Sequence, residues 1–236
     1  MPTLTYLDLN VEVLWQSPEP NELCCLAADM TMKKISPLSD RPPKEFIATN
    51  LLRANHTSLF EHGVISFGIE NISRSLLAQI SRHRMASITS ASQHYQKYNV
   101  YPDIVCEEMS EISDIEEFFN QCNEVYNDLI AHGIPKEEAR QVLPNAKAVN
   151  IIWTINARSL INFLNLRLCK RNVPEMINFA NDIHDLAVEW WPELFEYIGP
   201  DCQLIGYCRQ GTMQAKVCKA KLKHLRPKLV GKPNED

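Results

Sequence analysis

Glycine is scarce in this chain, seven among 236 residues. None forms the closely spaced set that the first turn of a dinucleotide-binding βαβ unit requires, so a Rossmann-type nucleotide site is excluded. Long hydrophobic runs are missing too. The apolar stretches end far short of the roughly 20 residues needed to cross a bilayer. The opening Met1-Pro2-Thr3-Leu4-Thr5-Tyr6-Leu7-Asp8 lacks the basic and apolar regions of a secretory leader, and a cytoplasmic address is expected. An excess of positive charge is also absent: the formal net charge is −5, which argues against a broad nucleic-acid or membrane-surface footprint. No internal repeat is present.

What the chain does have is periodicity of two kinds. Val64-Ile65-Ser66-Phe67-Gly68-Ile69 alternates like a half-buried strand, and Leu76-Leu77-Ala78-Gln79-Ile80 has helical spacing. Leu4–Val13 reads as an edge strand, Asn21–Met30 as a helix, and Pro42-Pro43 opens another helix through Ala54. Ser113-Asp114-Ile115-Glu116 is a capping-box sequence, and Ile115, Phe118, Phe119, Cys122, Val125, Tyr126 and Leu129 form an apolar stripe running toward Gly133. A short helix from Pro135 to Pro144, a strand over Val149–Ile155, a helix over Ala157–Leu166 and a long helix from Pro174 broken near Pro192 complete the reading. Strands and helices without regular βαβ alternation predict an α+β fold. Trp190 and Trp191 are read as packing residues. Residues 1–218 are expected to form one domain, and 219–236, basic and proline-containing, a mobile tail.

The eight cysteines are read as reduced thiols. Cys24, Cys25, Cys106 and Cys122 are expected to fill buried space. Cys169, Cys202, Cys208 and Cys218 leave a structural metal or a thiol cluster open, since their spacing is longer than that of common thiolate zinc sites.

The segment that carries chemistry is Arg82-His83-Arg84 followed, after seven residues, by Ser92. Two permanent cations, an imidazole and several hydroxyls within one short stretch suit phosphates and a polar heterocycle. The triplet falls where a packed helix gives way to a polar loop, a common position for binding groups on a rigid scaffold.

Four ordered blocks then resemble the flavin-dependent thymidylate synthase (ThyX) family: His56-Thr57-Ser58-Leu59-Phe60-Glu61-His62, Arg82-His83-Arg84 through Ser92, Ala139-Arg140-Gln141-Val142-Leu143-Pro144, and Trp153 through Arg167. The resemblance implies a mixed sheet with flanking helices and a homotetramer with active sites between subunits. It also implies transfer and reduction of a one-carbon unit from 5,10-methylenetetrahydrofolate to C5 of dUMP, with FAD as cofactor and NADPH as reductant. It assigns Ser58, Arg82, His83, Arg84, Ser90, Asn156, Arg158 and Asn162 to the flavin. Gln79, Arg82, Ser90, Ser92, His94, Arg140 and Arg167 fall to the nucleotide. Arg167 is the implied catalytic residue, a fixed cation set against the uracil ring; being protonated at any working pH, it suits electrostatic activation and not proton abstraction.

Each assignment has a structural counterpart. Asn156 is also a good helix cap, Arg140 and Arg167 could be ion-paired, and His56 and His62 could merely orient their loop. The chain also departs from the family pattern. Position 90 is Ser where Glu or Gln is usual, position 94 is His where Arg is usual, and Asn172-Val173 stands in place of Ala-Gln. Loss of one charge-assisted phosphate contact costs about 1.5–3 kcal/mol, or one to two decades of affinity. Lys97 is a candidate substitute for the missing guanidinium. The departures on the nucleotide side keep two other readings open: a different acceptor such as UMP, and a non-catalytic flavin- or nucleotide-binding homologue. A nucleic-acid role for the basic tail is countered by the acidic net charge.

Overall fold

The computed structural model describes residues 4–6, 9–32, 51–52, 54–92, 101–200 and 202–203. In chain order its elements are β1 (Leu4–Tyr6), β2 (Asn10–Gln16), α1 (Pro20–Met32), a 3-10 helix (Thr57–His62), β3 (Val64–Ser73), α2 (Arg74–Ile80), β4 (Ala86–Ser90) and β5 (Asp103–Val105). There follow α3 (Glu107–Ser110), α4 (Ile115–Ala131), α5 (Lys136–Ala139), a second 3-10 turn (Arg140–Val142), β6 (Ala148–Asn156), α6 (Ala157–Arg167), α7 (Pro174–Trp190) and α8 (Pro192–Phe195).

This is the α+β class that the sequence predicts, with one correction. The expected single mixed sheet is instead an antiparallel sheet in the order β2-β3-β6-β4, with parallel pairing confined to a separate ribbon of β1 and β5, where Leu4 lies opposite Asp103 and Tyr6 opposite Val105. Parallel neighbours need long crossovers, and β1 and β5 have most of the sheet's chain between them. The helix expected from Pro42 through Ala54 falls largely outside the described residues, as do Cys208, Cys218 and the tail from 219. No helix among the described residues is long and apolar enough to cross a membrane.

The chain divides into two compact units: Met1–Leu14 with Ser66–Thr154, and Trp15–Ile65 with Ile155–Asp236. In the first unit the alternation of β3 buries Phe67, Ile69 and Ile72, and β6 buries Val149, Ile151 and Trp153. Phe67 and Trp153 meet with ring centroids 6.0 Å apart, and Ser66 and Thr154 share a hydroxyl hydrogen bond of 2.8 Å. Burying a Phe side chain fully is worth about 1.5–3 kcal/mol, so a few such residues suffice to fix the register. Ser73 ends the strand and starts the helix: its Oγ accepts from the Leu76 amide at 2.9 Å, a side-chain N-cap for α2.

Helix α4 forms where its period places it and ends at Gly133, whose φ of +83° is the left-handed conformation favoured beyond a helix C-terminus. Two local expectations fail here. The capping box does not close, because Asp114 has helical backbone angles and makes no cap hydrogen bond, while Ser113 Oγ donates to the Asp114 carboxylate at 2.8 Å. Within the apolar stripe, Phe119 and Tyr126 are buried but Phe118 and Val125 are about half exposed. Asn123 is buried in the same arc because it accepts a hydrogen bond from Lys147.

In the second unit, tryptophans do the packing. Trp191 meets Phe60 edge-on at 5.9 Å and donates from Nε1 to Asn21 Oδ1 at 3.4 Å; Trp190 donates from Nε1 to the Ser17 carbonyl at 3.0 Å. Both indole N–H groups are therefore satisfied, as burial of the rings requires. Pro192 breaks the long helix where the sequence places the break, and His184 bridges the break by donating from Nε2 to the Phe195 carbonyl at 3.1 Å. Phe163 of α6 packs edge-on against Phe179 of α7 at 5.8 Å.

Candidate active site

The predicted site residues fall into two groups, one in each unit. Gln79, Arg82, His83, Arg84, Ser90, Ser92 and Arg140 belong to the first; Ser58, Asn156, Arg158, Asn162 and Arg167 belong to the second. His94 and Lys97 lie outside the described residues.

In the first unit, α2 ends at Ile80 and the chain closes one further turn, with the Arg82 amide bonded to the Gln79 carbonyl (3.4 Å) and the His83 amide to the Ile80 carbonyl (2.9 Å). That turn leaves Arg82 and Arg84 exposed, while Gln79 and His83 are half-buried. The chain then enters β4, whose last residue Ser90 is exposed. The Ala91 amide donates to the Asn150 carbonyl at 3.0 Å, anchoring the strand's end beside Ser92. Two exposed guanidiniums flank one imidazole on a short, backbone-fixed turn. The donor set suits a ligand carrying phosphate charge, as FAD does. Arg140 is exposed, and its Nε donates to the Glu137 carbonyl at 3.0 Å. The alternative fate of pairing with a carboxylate is not realised for it among the described residues.

In the second unit, α6 carries the rest. Asn156 takes an extended conformation and its Oδ1 accepts from the Ser159 amide at 2.9 Å, so the side chain caps the helix as its residue type predicts. The helix buries Ala157, Leu160, Ile161, Phe163 and Leu164. Arg158 and Asn162, one turn apart, share the exposed face. Arg158 is ion-paired through Nη1 to Glu61 Oε1, and the Ala157 amide donates to the Gly63 carbonyl at 2.8 Å. Two of the sequence blocks, the 3-10 helix with Ser58 and the start of α6 with Asn156 and Arg158, are thereby joined at one corner. Ser58 is exposed there.

Arg167 lies in the last turn of α6, half-buried, where the carbonyl end of the helix dipole favours a cation. Burial pulls its pKa below the usual arginine value, the direction expected when a charge loses water. Its Nη1 donates to Asn172 Oδ1 at 3.4 Å.

Sequence reasoning missed two residues of this site as partners. Glu61 was visible only as a letter of its block; its pairing with Arg158 spans 97 positions. Asn172 was visible only as a departure from a pattern. Neither has a local signal for what it touches. No three His, Cys, Asp or Glu side chains gather into a metal site among the described residues.

The sequence pattern of the family described as "Thymidylate synthase complementing protein" matches residues 12–193. Among curated relatives, a flavin-dependent thymidylate synthase of Geobacter sulfurreducens is 33% identical over 217 residues, covering 87% of this chain and 93% of the relative. One from Nitratidesulfovibrio vulgaris is 32% identical over 223 residues, covering 85% and 91%. Among solved structures, the chain is similar to a UMP/dUMP methylase PolB from Streptomyces cacaoi bound with 5-Br dUMP, with a TM-score of 0.67, 21% identity, and coverage of 80% of this chain and 94% of that one. At that identity the likeness is one of fold.

Proposed function

This chain belongs to the flavin-dependent thymidylate synthase family, a family of methyltransferase enzymes with a flavin cofactor, and on that premise we propose that it transfers a one-carbon unit from 5,10-methylenetetrahydrofolate to C5 of dUMP and reduces it to give dTMP. FAD, reloaded by NADPH, would supply the hydride, since no side chain can carry one. The protein's own contribution is binding, orientation and charge.

Arg82, His83 and Arg84, with Ser58, Ser90, Asn156, Arg158 and Asn162, would hold the flavin. Gln79, Ser92, His94 and Arg140, together with Arg82, Ser90 and Arg167, would hold the nucleotide. Arg167 would face the pyrimidine and stabilise negative charge on its carbonyl edge as C5 becomes nucleophilic, an interaction that strengthens in a partly desolvated setting. A homotetramer with sites completed between subunits is part of the same reading.

The observation that carries it is the arrangement along α6: cap, cation and amide at Asn156, Arg158 and Asn162, tied through Glu61 to the Ser58 block, and a half-buried guanidinium at the opposite end. Purified protein incubated with FAD, NADPH, methylenetetrahydrofolate and dUMP is expected to release dTMP. Flavin that is reduced normally while no dTMP forms would sink the reading.

A second acceptor has a specific motive. Ser90 and His94 replace larger or permanently charged groups on the nucleotide side, and the structural neighbour is by its own name a UMP/dUMP methylase. Turnover of UMP exceeding that of dUMP under the same conditions would favour that reading.

A further inference from the structure

We propose that Asn172 is the positioning residue for Arg167, a role that rests on Arg167 being the cation set against the pyrimidine. Every polar contact of this side chain points the same way. Its Nδ2 donates to the carbonyls of Leu166 at 3.0 Å, Arg167 at 3.1 Å and Cys169 at 3.0 Å. These are carbonyls at and just past the C-terminus of α6, where backbone acceptors lack helical partners. Three acceptors crowd an amide with only two N–H donors, so the nitrogen's side of the group is fixed. The oxygen is then fixed as well, and it faces Arg167 Nη1 at 3.4 Å. The backbone of Asn172 is held in turn, its amide donating to the Cys169 carbonyl at 3.0 Å.

One side chain thus does two separable things. Through nitrogen it caps the helix that carries Arg167; through oxygen it accepts from the guanidinium itself. The stem of an arginine side chain has many rotamers, and an acceptor anchored to the arginine's own helix end removes some of them before substrate arrives. Neither Ala nor a hydrophobic residue at 172 could supply both. The departure of this chain at 172-173 is therefore a replacement with a function and not a loss.

The separation supplies the test. Flavin-loaded wild type, Asn172→Ala and Asn172→Asp are compared for dUMP affinity by flavin absorbance titration, for kcat and KM of dTMP formation, for NADPH oxidation without nucleotide, and for melting temperature. Asp keeps the acceptor and discards the cap; Ala discards both. The Ala variant is expected to lose about tenfold in dUMP affinity or in kcat, the scale of one hydrogen bond to a charged group, with nucleotide-free NADPH oxidation unchanged. The Asp variant is expected to melt as low as Ala, yet recover to within about threefold of wild type in the nucleotide readouts. A purely structural role predicts that both variants fall together in proportion to their melting temperatures, and that result overturns the inference, as does an Ala variant with wild-type affinity and turnover. Should wild type bind dUMP and make no dTMP, the proposed function fails while the affinity comparison still decides this one; wild type that binds no pyrimidine nucleotide overturns it.

Discussion

Lys147 Nζ lies 2.7 Å from Asp103 Oδ2, with both side chains almost completely removed from solvent. The ammonium also donates to Asn123 Oδ1 and to the Tyr101 carbonyl, each at 3.1 Å. It ties the short strand β5 to α4 and to the start of β6, inside the unit that carries the basic triplet. A lysine with three acceptors is satisfied. Desolvation nevertheless raises the Asp103 pKa above 3.8, against the opposing pull of Lys147 and Asn123.

Lys147→Met should therefore be costly, and more so at higher pH. Removing the cation leaves a buried carboxyl without its counter-charge, typically about 3–5 kcal/mol. With the folded pKa already raised and now raised further, the native state holds its proton while the unfolded state loses it above 3.8. Stability contributed by the neutral form is thus present below that value and lost as pH rises through the folded pKa. Urea unfolding from pH 4 to pH 8 should show the gap between variant and wild type widening with pH. A gap that narrows contradicts the pairing.

A methyl group at Gly63 would crowd two indoles: a Cβ there would sit 3.0 Å from Trp191 Cζ3 and 3.4 Å from Trp190 Cη2. Its φ is an ordinary −80°, so the constraint is steric and not conformational. Gly63→Ala gains about 0.4–1 kcal/mol from a stiffer unfolded chain, but overpacking against two anchored indoles costs about 1–3 kcal/mol. Net destabilisation is expected in chemical denaturation, with an altered near-ultraviolet tryptophan spectrum. Equal or greater stability would mean that the Trp191 ring is free to move.

The contrast between those two sites shows what the sequence could reveal. Alternation placed β3, β-branched and aromatic content placed β6, Asn156 announced itself as a cap, and Pro192 marked its break, because each is a property of neighbours in the chain. Lys147 and Asp103 are 44 positions apart and Arg158 and Glu61 97, and no local period encodes such pairs. On α4 the seven-residue apolar stripe was legible, yet only tertiary packing decides that Phe119 faces inward and Phe118 does not. The Ser113-to-Glu116 capping sequence failed for a related reason: Asp114 takes helical backbone angles, and the Ser113 hydroxyl donates to the Asp114 carboxylate instead of accepting from an amide of the first turn. In the candidate site, residue types were readable, but the partners that orient Arg158 and Arg167 were not.

Arg158 and Glu61 are each about half exposed, with side-chain exposures of 50% and 47%. Water screens such a pair, and its worth to folding is about 0–1 kcal/mol. Glu61→Gln should leave the melting temperature nearly unchanged. If the pair exists to hold Arg158 for a flavin, the same variant should weaken FAD binding, by less than Arg158→Ala does. Equilibrium dialysis with FAD gives the answer, and an Arg158→Ala protein that binds FAD as wild type does removes Arg158 from the cofactor site.

Asn156 offers the sharpest separation of scaffold from chemistry. Its Oδ1 is committed to the Ser159 amide, which turns the Nδ2 donors away from the helix that the oxygen caps. Asp caps a helix as well as Asn and adds a charge favoured by the N-terminal dipole; it has no N–H to offer a ligand and would repel an anionic one. Compared as flavin-free proteins, Asn156→Asp should hence melt at or above the wild-type temperature yet fail to bind FAD, whereas Asn156→Ala should lose about 1 kcal/mol of stability together with FAD binding. Melting curves beside the flavin absorbance of the purified variants decide it. An Asp variant that is isolated with a full complement of flavin would leave Asn156 a cap and nothing more.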